Sequence, residues 1–168
     1  IRLGIFWDGI EPEPGVYDEQ YLYKIDGLIT LAKNSDLVVY LDMHQDLFSC
    51  QYSDGAPSWA TLTDGLEHVQ TDLWSESYLL SDAVQGAFDR FWANEKVSDG
   101  LGIQQHFINM WQMLAKRYRD NETVIGYDFF NEPFPGSMSN QVMGNFLGVL
   151  CQEMKETIES HRNIDEEV

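Results

Sequence analysis

Cysteine, basic residues and long apolar runs are scarce in this chain, and each scarcity excludes something. Two cysteines, Cys50 and Cys151, are too few for a disulfide framework, and without nearby histidines they make no zinc site. The histidines (His44, His68, His106, His161) are scattered and none forms the i, i+4 pair that grips a metal from one helix face. Ten basic residues stand against 28 acidic ones, and the net charge of −18 repels phosphate backbones, so nucleic acid is not an expected partner. No apolar run is long enough to cross a bilayer, so stable membrane insertion is not expected. There is no initiator Met, signal peptide or targeting tract, and the sequence opens on what reads as a strand, as a fragment of a larger protein would. The compartment is thus unread, with a secreted location favoured; the Asn121-Glu122-Thr123 triplet fits a glycosylation sequon but is common by chance.

Against these absences, hydrophobic residues make up 43% of the 168 positions, enough for a core in a single domain, 1–168. "RLGIFW" (2–7) and "LVVYLDM" (37–43) predict strands. The second is so continuously apolar that cover on both faces is expected. "EPEPGVYD" (11–18) reads as a loop whose Asp18 is placed to cap a helix. In that helix Leu22, Ile25, Leu28, Ile29 and Ala32 recur at helical spacing until Asn34 and Ser35 stop it. Residues 47–82 have no periodicity, and structureless stretches of such length are often functional. Helical patterns return at 83–93 and at 103–119, where Phe107, Met110, Trp111, Leu114 and Tyr118 share a face. "TVIGYDFF" (123–130) predicts a third strand. A last helix is expected over about 140–160, with Met143, Leu147, Leu150, Met154 and Ile158 on one side and a fraying polar tail, 161–168. Strands alternating with helices argue for a parallel α/β architecture. No Gly-rich fingerprint follows a strand, which disfavours an open nucleotide-binding sheet. A closed (β/α)8 barrel takes roughly 250 residues, so three strands would be part of one.

In parallel α/β proteins the C-terminal ends of the strands share one rim, and sites form there. The first strand ends at Trp7-Asp8, the second runs into His44 and Asp46, and the third into Asn131-Glu132. The polar residues that interrupt apolar runs therefore converge. A carboxyl at the mouth of an apolar strand is expected to be partly desolvated, which favours its protonated form and suits it to give a proton to a leaving oxygen. Asn131 offers a donor and an acceptor for a substrate hydroxyl, and Pro133 stiffens the turn.

"RLGIFWDGIEPEPGVYD", "LDMHQDLFS", "GAPSWA", "FDRFWAN" and "YDFFNEPFPGS" together resemble the endoglycoceramidase branch of the large retaining β-glycosidase family that includes cellulases and mannanases. The likeness runs in order through most of the chain and weakens after about residue 140. It implies a (β/α)8 barrel, here about strands two to four with their helices, and a double displacement between two glutamates roughly 5 Å apart. By match of motif, Glu132 is the acid/base and Asn131 bonds the hydroxyl next to the anomeric carbon. Arg2 orients the nucleophile, His44 and Asp46 bind the sugar nearest the scissile bond, and Trp92 flanks it. The family's nucleophile is a glutamate on a later strand, expected outside these residues. The implied substrate is a glycosphingolipid cleaved between glycan and ceramide, and no metal or organic cofactor is implied. Steryl glucosides, simpler β-glucosides or polysaccharides are the alternative, and a non-catalytic sugar- or lipid-binding fragment is a third.

Several residues carry two readings. Trp92 lies between Phe91 and Ala93 in a helical stretch and reads equally as core or sugar platform. Phe48, Trp59 and Trp74 could line a groove for a lipid tail or pack their own loop. Asp8, Asp42 and Asp128 are expected to hold loops or balance charge. Part of a barrel leaves sheet edges and apolar surface uncovered, so the missing half or self-association is expected to cover them.

Overall fold

The computed structural model describes residues 1–165, with side chains to residue 160. Its strands are β1 (Arg2–Phe6), β2 (Val39–His44) and β3 (Val124–Asp128). Its helices are α1 (Trp7–Ile10), α2 (Glu19–Asn34), α3 (Ser77–Leu80), α4 (Asp82–Trp92), α5 (Ile103–Tyr118) and α6 (Asn140–Asp165). The strands form one sheet in the order β1-β2-β3. Both pairings are parallel, Arg2 to Phe6 lying beside Tyr40 to His44 and Tyr40 to Asp42 beside Gly126 to Asp128. This α/β arrangement is the expected piece of a barrel wall.

Local chemistry explains the element ends. The Asp18 carboxylate accepts from Gln20 N at 2.8 Å and Tyr21 N at 3.2 Å, satisfying two orphan donors at the start of α2. In α2, Leu22, Ile25, Ile29 and Ala32 are buried as the spacing predicts, but Leu28 is 47% exposed. Leu28 lies at the margin of the apolar stripe, beyond the reach of the sheet. On α5 the whole predicted face, Phe107, Met110, Trp111, Leu114 and Tyr118, is buried. α6 is helical to Asp165, five residues into the stretch expected to fray; residues 166–168 lie outside the described ones.

The expectation of a strand covered on both faces is corrected. Val39, Leu41 and Met43 are buried against the helices, whereas Tyr40 is 41% exposed on the other face. A sheet with helices on one side leaves the opposite face open except where its own side chains fill it. Tyr40 lies over its register partner Gly126, where a Cβ would fall 2.3 Å from the ring. On the helix side the core is aromatic: Phe91 lies 5.6 Å from Phe107, 5.5 Å from Phe130 and 5.2 Å from Phe146. These are contact geometries that add to plain burial.

Candidate active site

Parallel pairing brings the ends of β1, β2 and β3 to one edge, and the backbone of residues 129–134 makes that edge rigid. Asn131 N donates to Met43 O at 3.0 Å, extending the β2–β3 ladder past β3 itself. Trp111 Nε1 donates to Phe129 O at 3.1 Å and Trp92 Nε1 to Phe134 O at 2.8 Å. Gln45 Nε2 donates to Asn131 O at 2.8 Å and to Glu132 O at 3.3 Å, and Asn131 Nδ2 returns a bond to Gln45 O at 3.1 Å. Glu132 has φ +40°, left-handed backbone for a residue that precedes proline and would ordinarily be extended. Side-chain donors on four surrounding carbonyls hold that strained conformation in place.

A chain of polar contacts runs along the sheet's open face below this turn. Arg2 Nη2 donates to Asp42 Oδ1 at 2.9 Å, Asp128 Oδ2 at 3.1 Å and Asn131 Oδ1 at 2.6 Å. The other oxygen of Asp42 lies 2.8 Å from His44 Nδ1. His44 Nε2 lies 3.8 Å from Asp46 Oδ2, and its ring stands edge-on to Phe6 at 5.9 Å. Burial raises the pKa of Asp46, and the charges of Asp54 and Glu132 raise it further while His44 opposes them. Burial likewise raises that of Tyr78, opposed by its hydrogen bonds with Leu47 N and Gln45 and helped less by the charges of Asp46 and Glu132. The Gln45 amide, bound to the carbonyls of Asn131 and Glu132, sets the Glu132 turn beside the end of β2 that carries His44 and Asp46.

Arg2, His44, Asp46, Asn131 and Glu132 are thus brought together. Two expectations about the candidate site residues are corrected. Glu132 is exposed, not sheltered, because its turn carries it off the line of β3 onto an edge that three strands wall from one side only. Trp92 is 4% exposed, packed against Phe91, Phe130 and Phe146, with its indole N–H committed to Phe134 O. It braces the Glu132 turn from beneath and presents no open face as a platform among the described residues. The lipid-groove reading is also not supported: Phe48 is buried in the main core, and Trp59 packs on Trp7 and gives its N–H to Glu11 O. Of that trio only Trp74 is open, at 49% exposure. Asp42 and Asp128 both balance Arg2, as expected of them.

Sequence reasoning missed Gln45 and Tyr78. Gln45 Oε1 accepts from Phe48 N at 2.7 Å and from the Tyr78 hydroxyl at 3.4 Å, so the long excursion after β2 is tied to the amide that holds the Glu132 turn. The available signal was an amide between two motif residues, His44 and Asp46. His44, Asp46 and Asp54 bring possible ligand atoms within 4.8 Å of one another, the one grouping among the described residues able to hold a cation. The same atoms equally suit sugar hydroxyls. No helix among the described residues is long and apolar enough to cross a membrane.

Comparison with known proteins bears on the fold and the family. An endoglycoceramidase of Cyanea nozakii is 30% identical over 161 residues, covering 82% of this chain and 31% of the relative. A glucosylceramidase of Rhizopus delemar is 30% identical over 177 residues, covering 87% of this chain and 26% of its own length. The solved endo-glycoceramidase II from Rhodococcus sp., as its lactosyl-enzyme intermediate, superposes with a TM-score of 0.83 at 33% identity, covering 95% of this chain and 38% of that one. The chain therefore spans about a third of the length of such relatives. The cellulase model, glycosyl hydrolase family 5, matches residues 1–164, and the chain belongs to that family.

Proposed function

We propose that these residues form the acid/base side of a retaining β-glycosidase of endoglycoceramidase type, which cleaves the linkage between glycan and ceramide. The observation that carries this reading is that His44, Asp46, Asn131 and Glu132 gather at the C-terminal rim of a parallel sheet, with Arg2 reaching Asn131 from the start of β1 along the open face and Glu132 in a strained turn. In this reading Glu132 protonates the glycosidic oxygen while a second glutamate, on a further strand, bonds to the anomeric carbon and the aglycone departs. Glu132 then takes a proton from water as that water breaks the glycosyl-enzyme bond. His44, Asp46 and Asn131 bind hydroxyls of the sugar at the scissile bond.

The test is release of intact glycan from lactosylceramide by the whole enzyme. Glu132→Gln keeps the shape and removes the transferable proton, and release falls by roughly 100- to 10,000-fold. Unimpaired release removes Glu132 from this role. A panel of lactosylceramide, a steryl glucoside and soluble glucan decides the aglycone, and preference for soluble glucan overturns the lipid assignment.

A further inference from the structure

We propose that Asp42 is a positioning residue that sets the tautomer of His44 and so aims its Nε2 lone pair at the rim. Asp42 and His44 are two residues apart on β2 and share its open face. The Asp42 side chain is 3% exposed in spite of that open face, because it is enclosed between the groups it holds. Its two oxygens have separate duties. Oδ1 takes a hydrogen bond from Arg2 Nη2 at 2.9 Å, and Oδ2 lies 2.8 Å from His44 Nδ1. A carboxylate only accepts, so Nδ1 carries the hydrogen and Nε2 of the neutral ring is left as an acceptor. Phe6 closes the ring's edge.

The tautomer matters for what the rim can bind. Asp46 Oδ2 and His44 Nε2 are 3.8 Å apart, too far to bond each other. With Nε2 bare, that pair offers two acceptors to a sugar carrying adjacent hydroxyls; with Nε2 protonated, it offers one donor and one acceptor. Through Arg2, which also bonds Asn131 Oδ1, the same carboxylate orders the residue next to Glu132. This consequence for substrate rests on the glycosidase reading; the tautomer itself does not.

Asp42→Asn is the informative change, and Arg2 decides its result. The guanidinium has only donors, so the new amide turns its oxygen to Arg2 and its NH2 to His44 Nδ1. The ring must then accept at Nδ1 and carry its hydrogen on Nε2. Long-range 1H–15N correlation spectra of the chain, with the His44 signals identified by their loss in His44→Gln, read this directly. The expected result is the Nδ1–H form in the unmodified chain and the Nε2–H form in Asp42→Asn. An Nε2–H ring in the unmodified chain overturns the proposal without any variant, and so does an unchanged tautomer in a folded Asp42→Asn. In the whole enzyme Asp42→Asn lowers kcat/KM for a β-glycoside by about 100-fold, the scale of a misplaced contact. A tautomer change without loss of turnover overturns the catalytic half alone. A whole enzyme inactive on every glycoside overturns the functional reading and leaves the tautomer result standing.

Discussion

Glu11 and His106 are 95 positions apart, yet they meet in the core, and replacing Glu11 tests what holds the first loop to α5. Glu11 is wholly buried, and its carboxyl faces three donor positions. Trp7 Nε1 donates to Oε2 at 2.8 Å, Gly15 N to Oε1 at 2.8 Å, and His106 Nδ1 lies 2.9 Å from Oε1. His106 is 1% exposed, its Nε2 reaches Asp99 at 3.1 Å, and its ring stands against Trp59 at 4.8 Å. Glu11→Ala strands the polar atoms of two buried residues, Trp7 and His106, while Gly15 is exposed and finds water. A stranded buried group costs about 1–3 kcal/mol, and the vacated volume adds to it, so the loss is about 3–5 kcal/mol. For a chain of this size that lowers Tm by roughly 6–20 °C. Glu11→Gln keeps the shape and an acceptor oxygen and costs about half as much. Glu11→Met keeps the volume but accepts nothing, and falls close to Ala. Urea and thermal melts of the variants measure this order. A Met variant as stable as the Gln variant, or an Ala variant within about 1 kcal/mol of the parent, refutes the claim that hydrogen bonding, not packing, holds this contact.

Gly55 has φ +120°, and a Cβ there would fall 2.6 Å from Phe48 O and 2.6 Å from Gln45 Cβ. Gly55→Ala therefore costs about 2–4 kcal/mol by urea denaturation, and the Gln45 side-chain signal shifts in NMR spectra. Asp26 is held below the ordinary carboxylate range chiefly by Arg117, which grips it at 2.7 and 3.2 Å, with the Tyr118 hydroxyl donating at 2.9 Å. A depressed carboxyl contributes stability that is complete above its unfolded value, near 3.8, and fades as pH falls through its lower folded value. The stability difference between the parent and Asp26→Asn is thus about 1 kcal/mol at neutral pH and narrows in strong acid; a difference that widens as pH falls contradicts the assignment.

Legibility from sequence followed how local each cause was. The strands, the Asp18 cap and the buried face of α5 depend on neighbours within a turn or two, and they appear where the periodicity puts them. The rim was legible because polar residues interrupted three apolar runs at their C-terminal ends. Strand parity alone could have promoted Asp42, since a carboxylate two residues before His44 must share its face. The Glu11–His106 contact and the two bonds of Gln45 were not legible, because a polar side chain's partner is fixed by packing among distant segments. Trp92 was ambiguous because an aromatic on an amphipathic helix has the same spacing whether it fills a core or faces a ligand. The exposure of Glu132 depends on the backbone turn, and no residue type announces a left-handed glutamate before proline.

The Gln45 amide has one workable orientation. Turned over, its NH2 would meet the Phe48 N–H and its oxygen would meet the carbonyls of Asn131 and Glu132. Several attractions would become repulsions together, so the side chain behaves as a latch with a single closed position. Opening it frees the excursion after β2 and the Glu132 turn in one event. Amide hydrogens of Phe48 and Asn131 should therefore exchange with solvent at a common rate, as one cooperative unit.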